Sequence, residues 1–97
     1  MKDLGICILT LKSKEKVLAC LISLFENTRD LDMDVVVVDN NSQDGTVEEI
    51  RARYPGVRLV VNESNLGYSK AVNQGLRVLD ARYYVLLNPD TIVQDLA

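Results

Sequence analysis

Twelve residues, Val-Val-Val-Val-Asp-Asn-Asn-Ser-Gln-Asp-Gly-Thr at positions 35–46, carry the densest chemistry in this 97-residue chain. Asp39 follows four β-branched apolar residues, and Asn41, Ser42 and Asp44 follow it closely. A carboxylate in such a place accepts hydrogen bonds from N–H donors, and these are stronger than bonds between neutral groups. Other polar residues end other apolar runs: Thr10 and Lys12, Asn62 and Asn65 before Gly67 and Lys70, and Asn88 to Thr91 around Asp90. The chemistry on offer is recognition of a polar ligand by acceptors, amides and one or two cations. Nucleophilic catalysis through a histidine-based triad is excluded, as is a zinc site of the usual kind, because the sequence has no histidine.

The elements that must position these residues follow from pattern. Four consecutive valines cannot sit on a strand with one wet face, so residues 35–38 read as a strand buried on both faces, the habit of parallel sheets. Residues 4–11 form a first strand of the same kind. Ser13 is expected to cap a helix over 15–27, where Val17, Leu18, Leu21, Ile22, Leu24 and Phe25 recur at helical spacing. Thr46 and Glu49 have capping-box spacing for a second helix, which Pro55 and Gly56 stop. A third strand is expected at 57–62 and a third helix at 68–79, with Ala71, Val72, Gly75, Leu76 and Leu79 inward. A fourth strand at 83–87 ends at Pro89, which cannot pair further. Strict alternation of strand and helix argues an α/β fold with parallel strands and right-handed crossovers. In such sheets ligands bind outside the carboxyl ends of the strands, where every polar cluster falls. Gly67 fits that use, since a residue without Cβ lets backbone come close to a ligand.

Composition narrows the function classes. The length suits a single domain. Net charge is −3 with scattered basic residues, which gives no footprint for nucleic acid and leaves any phosphate ligand to a metal or to backbone amides. No apolar run reaches the length of a membrane span, and the first residues do not open a signal peptide. Cys7 and Cys20 lie in apolar runs and are expected to be reduced, which fits a cytoplasmic protein.

Three blocks together carry a resemblance. Residues 38–46 resemble the Asp-x-x-Ser-x-Asp-Gly-Thr signature of family 2 glycosyltransferases, inverting enzymes of GT-A fold. Residues 65–75 are similar to their next block, Asn-x-Gly followed by a helix bearing Asn-x-Gly. Residues 84–91 resemble their metal-binding segment in the Asn-Pro-Asp form of rhamnosyltransferase-like members. The resemblance implies a truncated GT-A, Rossmann-like three-layer sandwich around a mostly parallel four-stranded sheet of order 3-2-1-4. It implies that Asp39 bonds the base of a nucleotide diphosphate sugar, a UDP- or dTDP-sugar. Thr10, Lys12, Asn41, Ser42, Asn65, Gly67, Lys70 and Asn88 would line the nucleotide site. Asp90 would hold a divalent metal, Mg2+ or Mn2+, bridging the phosphates. Asp44 is given the structural task of satisfying amides at the helix start. Two positions depart from the family pattern: Asn88 replaces the first aspartate of Asp-x-Asp, and Thr10-Leu11-Lys12 replaces the usual Thr-Tyr-Asn.

In the family the acceptor site and general base lie after the metal segment. This chain is therefore expected to be the nucleotide-binding, N-terminal part of a longer glycosyltransferase, inactive alone, with no catalytic residue assigned. In the family's sheet the fourth strand is internal, so its bare edge here is expected to draw two copies into a homodimer. The competing class is a non-catalytic regulatory or interaction module such as a receiver domain. That would want an acidic cluster after the first strand and an aspartate after the third, where this chain has Thr10-Leu11-Lys12 and Asn62.

Overall fold

In a computed structural model of the protein, residues 1–28 and 30–89 are described. Seven elements alternate in chain order: β1 (Lys2–Thr10), α1 (Lys14–Asn27), β2 (Met33–Asp39), α2 (Thr46–Arg53), β3 (Arg58–Val61), α3 (Tyr68–Val78) and β4 (Ala81–Leu87). The strands form one sheet of order β3-β2-β1-β4, and every pairing is parallel. Each crossover is a helix, as parallel pairing requires.

Alternation along the central strands divides the core. Ile6, Ile8, Val35 and Val37 face α1 and α2, where Val17, Cys20, Leu21, Leu24 and Ile50 pack on them. Cys7, Val36 and Val38 face the other way, against Ala71 and Leu79 at α3. All four valines of β2 are buried because helices cover both faces. The result is the three-layer sandwich that the valine run demands. Cys7 and Cys20 lie in opposite layers and are free thiols, and burial pushes both thiol pKa values up.

Four local expectations change. β1 stops at Thr10 because Lys12 adopts φ 51° and turns the chain out of the sheet. Ser13 stands at the N-cap of α1 but makes no capping bond; its hydroxyl donates instead to the Leu11 carbonyl at 3.1 Å. The N-cap of α2 is Gly45, at φ 87°, and Thr46 is the first helical residue. No capping box forms there: Glu49 lies 3.9 Å from Lys14 Nζ, and its N–H bonds the Gly45 carbonyl. β4 begins two residues earlier than expected, which brings Ala81 and Arg82 into the sheet. The register Thr10↔Asp39↔Val61 sets the last residues of three neighbouring strands in one row.

Candidate functional site

Asp39 is the centre of the row, 2% exposed at the end of β2. Its position continues the inward alternation of Val35 and Val37, so its side chain lies on the α1–α2 face. One carboxylate oxygen, Oδ2, accepts the Ser42 N–H at 3.1 Å, which folds the following loop back onto the strand end. The other, Oδ1, is buried with no hydrogen-bond partner. Its register neighbour Thr10, 1% exposed, also has an unpartnered hydroxyl, and these two are the only such side-chain atoms among the described residues. Buried polar atoms are nearly always paired, so two orphans at neighbouring strand ends call for partners that the described side chains do not supply.

The loop after Asp39 is built for tightness. Asn41, Gln43 and Gly45 all take positive φ, at 72°, 54° and 87°; asparagine and glycine do so at small cost, and Gln43 adds a side-chain bond from Nε2 to Asn41 Oδ1 at 2.9 Å. Ser42 is buried and accepts the Lys12 N–H through Oγ at 2.8 Å, joining the loop after β2 to the loop after β1. The Asn40 N–H donates to the Thr10 carbonyl at 3.0 Å, a second tie between them. Thr10, Lys12, Asp39 and Ser42 are thus one bonded unit. Asp44 accepts from the Thr46 N–H at 3.2 Å and from the Thr46 hydroxyl. Desolvation works to raise the Asp44 pKa. Bonds from the Thr46 hydroxyl and amide, and from the amides of Asp44 and Lys14, outweigh it and hold the carboxyl below its usual value.

A cleft of about 200 Å3 opens beside this unit, lined by Asp39, Asn41, Asp44, Glu48, Arg51 and Asn62 among others. Three carboxylates against one guanidinium make it a place for a hydrogen-bond donor rather than for a phosphate. A larger cavity of about 410 Å3 lies on the α3 face, lined by Leu9, Leu11, Tyr68, Leu86, Asn88 and Pro89 among others. Asn88 therefore sits at the same carboxyl edge but on the opposite face from Asp39. Asn65 and Gly67 are exposed and reach the unit through Asn40, whose Nδ2 donates to Asn65 Oδ1 at 2.9 Å. Lys70 stands apart, exposed in an outer groove with Leu66, Asn73, Gln74 and Arg77. Asp90 lies outside the described residues.

Asn62 is marked in the sequence only as a polar strand end, and nothing marks Asn40 or Gln74, yet the three form a part-buried amide network beneath the loop before α3. The one available signal is alternation, which sets residue 40 on the face opposite Asp39. Nothing local announces that three amides from separate segments meet.

The sequence profile of Glycosyl transferase family 2 matches residues 5–96, nearly the whole chain. The chain belongs to that family. It is 45% identical over 47 residues to an N-acetylglucosaminyl-diphospho-decaprenol L-rhamnosyltransferase of Mycobacterium tuberculosis, covering 48% of this chain and 15% of that protein. It is 38% identical over 60 residues to a dolichol-phosphate mannosyltransferase of Saccharomyces cerevisiae, covering 59% and 22% respectively. Among solved structures, S. aureus TarS in complex with UDP matches with a TM-score of 0.81 at 22% identity, over 91% of this chain and 27% of that one. Mannosyltransferase PcManGT from Pyrobaculum calidifontis, in complex with GDP-Man and Mn2+, matches at 0.76 and 24% identity, over 93% and 30%. These two solved proteins share the fold of this chain, and the chain spans less than a third of their length. Among the described residues no helix is long and apolar enough to cross a membrane.

Proposed function

We propose that this chain is the nucleotide-binding part, at the N-terminal end, of a longer family 2 glycosyltransferase that moves a sugar from a nucleotide diphosphate sugar to an acceptor with inversion. The observation that carries the reading is the pair of buried, unpartnered atoms Asp39 Oδ1 and Thr10 Oγ1, at paired positions on the carboxyl edge of the sheet. The imide N–H of uracil or thymine is a donor of the kind Asp39 lacks, and the Thr10 hydroxyl can donate to or accept from the same ring. This favours a UDP- or dTDP-sugar. Two solved relatives with the same fold are complexes with UDP and with GDP-Man, which supports the nucleotide-sugar class and leaves the base to experiment. Lys12, Asn41, Ser42, Asn65, Gly67 and Asn88 complete the proposed site around the ligand. Lys70 is in the proposed set by family likeness, at some distance from the cleft of Asp39.

A divalent cation, Mg2+ or Mn2+, fits only in part. The described residues contain no group of three or more acidic, cysteine or histidine side chains that could hold one. In the sequence the Asn-Pro-Asp segment offers a single carboxylate, Asp90, so the ion would be bound chiefly through the ligand's phosphates. Bound there, it would stabilise the leaving diphosphate as a Lewis acid. The attacking acceptor hydroxyl must give its proton to a base as the anomeric carbon inverts, and no residue of this chain is assigned that task. The free, buried thiols of Cys7 and Cys20 support a cytoplasmic setting.

Calorimetric titration with UDP, dTDP and GDP in the presence of Mn2+ tests the reading. Wild type is expected to bind the pyrimidine nucleotides, and Asp39→Ala to lose about ten- to hundredfold in affinity, the size expected for a hydrogen bond to a charged group. Equal binding by wild type and variant would remove Asp39 from the site.

A further inference from the structure

Four side-chain amides run beneath the loop that joins β3 to α3. Gln74 and Asn62 bond each other reciprocally, Asn62 Nδ2 to Gln74 Oε1 at 2.8 Å and Gln74 Nε2 to Asn62 Oδ1 at 2.9 Å. The same Asn62 Nδ2 donates to Asn40 Oδ1 at 3.0 Å, and Asn40 Oδ1 also accepts the Leu66 N–H at 3.1 Å. On its other side Asn40 donates through Nδ2 to Asn65 Oδ1 at 2.9 Å and to the Gly67 carbonyl at 3.4 Å. Asn65 Oδ1 accepts the Gly67 N–H as well, at 2.9 Å. Asn40 is 3% exposed and uses both donors and both lone pairs of its amide within the protein. It has nothing left for a ligand.

We propose that Asn40 is a positioning residue for the candidate site: its amide clamps the Asn65–Gly67 turn, and so the start of α3, against the end of β2. The role beyond the loop rests on the nucleotide reading given above. Asn40 is the residue next to Asp39 and lies on the opposite face of β2, so the same strand end presents a free acceptor on one side and a fixed loop on the other. The clamp needs an amide specifically. A carboxylate at position 40 keeps an acceptor for Leu66 and Asn62 but sets an oxygen against Asn65 Oδ1 and the Gly67 carbonyl, both acceptors. Flipping the Asn65 amide does not cure this, because the Gly67 N–H then faces a donor.

Asn40→Asp, nearly equal in shape, is the direct test, read by amide hydrogen exchange in NMR. Gly67 N–H is expected to exchange about ten- to hundredfold faster, the loss due to an uncompensated buried acceptor, while the amides of Val36 and Val38 keep their wild-type rates. Gln74→Ala, on a part-exposed helical position, interrupts the network from its far end. It is expected to give a smaller change at Leu66 and Gly67, and it carries the test where Asn40→Asp does not fold. Affinity for UDP and dTDP is then measured on the same variants, and is expected to fall in step with loop protection. Unchanged exchange at Leu66 and Gly67 in a folded variant overturns the clamp. Accelerated exchange with unchanged nucleotide affinity overturns its role in the site. A wild type that binds no nucleotide overturns the nucleotide reading and with it the site role, whereas the exchange result alone still decides the clamp.

Discussion

Single residues at the strand ends divide into those with an unpartnered buried oxygen and those that hold the loops. Asp39 and Thr10 each keep one buried side-chain oxygen without a partner, whereas Ser42, Asn40 and Asp44 bond neighbouring segments of the protein. Asp44 makes a prediction in pH. Its folded pKa is held below the ordinary carboxylate value of about 4. A lowered folded pKa adds stability above the unfolded value, and that stability disappears as pH falls through the folded one. Wild type should therefore exceed Asp44→Asn in urea midpoint near neutral pH, and the gap should close in acid. A gap constant with pH would mean that Asp44 acts through bonds an asparagine also makes. Asp90 makes a prediction in metal dependence. Adding Mn2+ should strengthen nucleotide binding by wild type and not by Asp90→Ala, whereas Mn2+ alone should give no measurable heat. Tight binding of free Mn2+ would require ligands other than those assigned.

Secondary elements were legible where pattern was long and unambiguous. The run Val35 to Val38 requires burial on two faces, and strict strand–helix alternation requires parallel crossovers, so the layers follow from residue type alone. The strand order came with the family resemblance rather than from pattern. Capping bonds were less legible than element starts: Ser13 stands at the N-cap of α1 and Thr46 opens α2, yet neither side chain makes a capping bond. Gly45, at φ 87°, is the N-cap of α2 and brings no capping side chain, and Thr46 bonds Asp44 behind it. One glycine on α3 decides how closely that helix lies on the sheet. A Cβ at Gly75 would stand 2.5 Å from Cys7 Sγ and 3.0 Å from Val38 Cγ2, so either those side chains or the helix must shift to admit one. Gly75→Ala is expected to cost about 1–3 kcal/mol in denaturant unfolding, as overpacking of a full core does. The gain in helix propensity, about 1 kcal/mol, offsets only part of it. Because α3 also carries Gln74, the variant should loosen the Asn65–Gly67 turn. A variant as stable as wild type would show that α3 can lift from the sheet freely.

At the scale of the whole molecule, the two edges of the sheet differ. β3 is four residues long, and Arg58 on it makes a two-oxygen bond to Asp34 at 3.0 and 2.9 Å. β4 is seven residues long, and no strand pairs along its outer side among the described residues. Tyr83 is 67% exposed and Leu86 47% exposed. Tyr84 is tied down through its hydroxyl, which donates to the Leu79 carbonyl and accepts the Ala81 N–H. A long edge with open backbone groups and apolar side chains invites a strand from another copy, and a two-fold pair is the usual closed outcome. Arg82 works against it, since its earlier entry into the strand puts a charge on the edge, loosely paired with Asp3 at 3.8 Å. One charge in seven residues is a weak guard, so we expect this chain to dimerise through β4 as its concentration rises. Sedimentation velocity over a range of concentrations measures this directly. Tyr83→Lys, at an exposed position, should keep the chain monomeric without disturbing the core, whereas Val85 and Leu87 pack against the α1 layer and are poor choices for such a test. A wild-type chain that sediments as a monomer at the highest concentration reached would rule out edge pairing, and dimers unaffected by Tyr83→Lys would move the interface elsewhere.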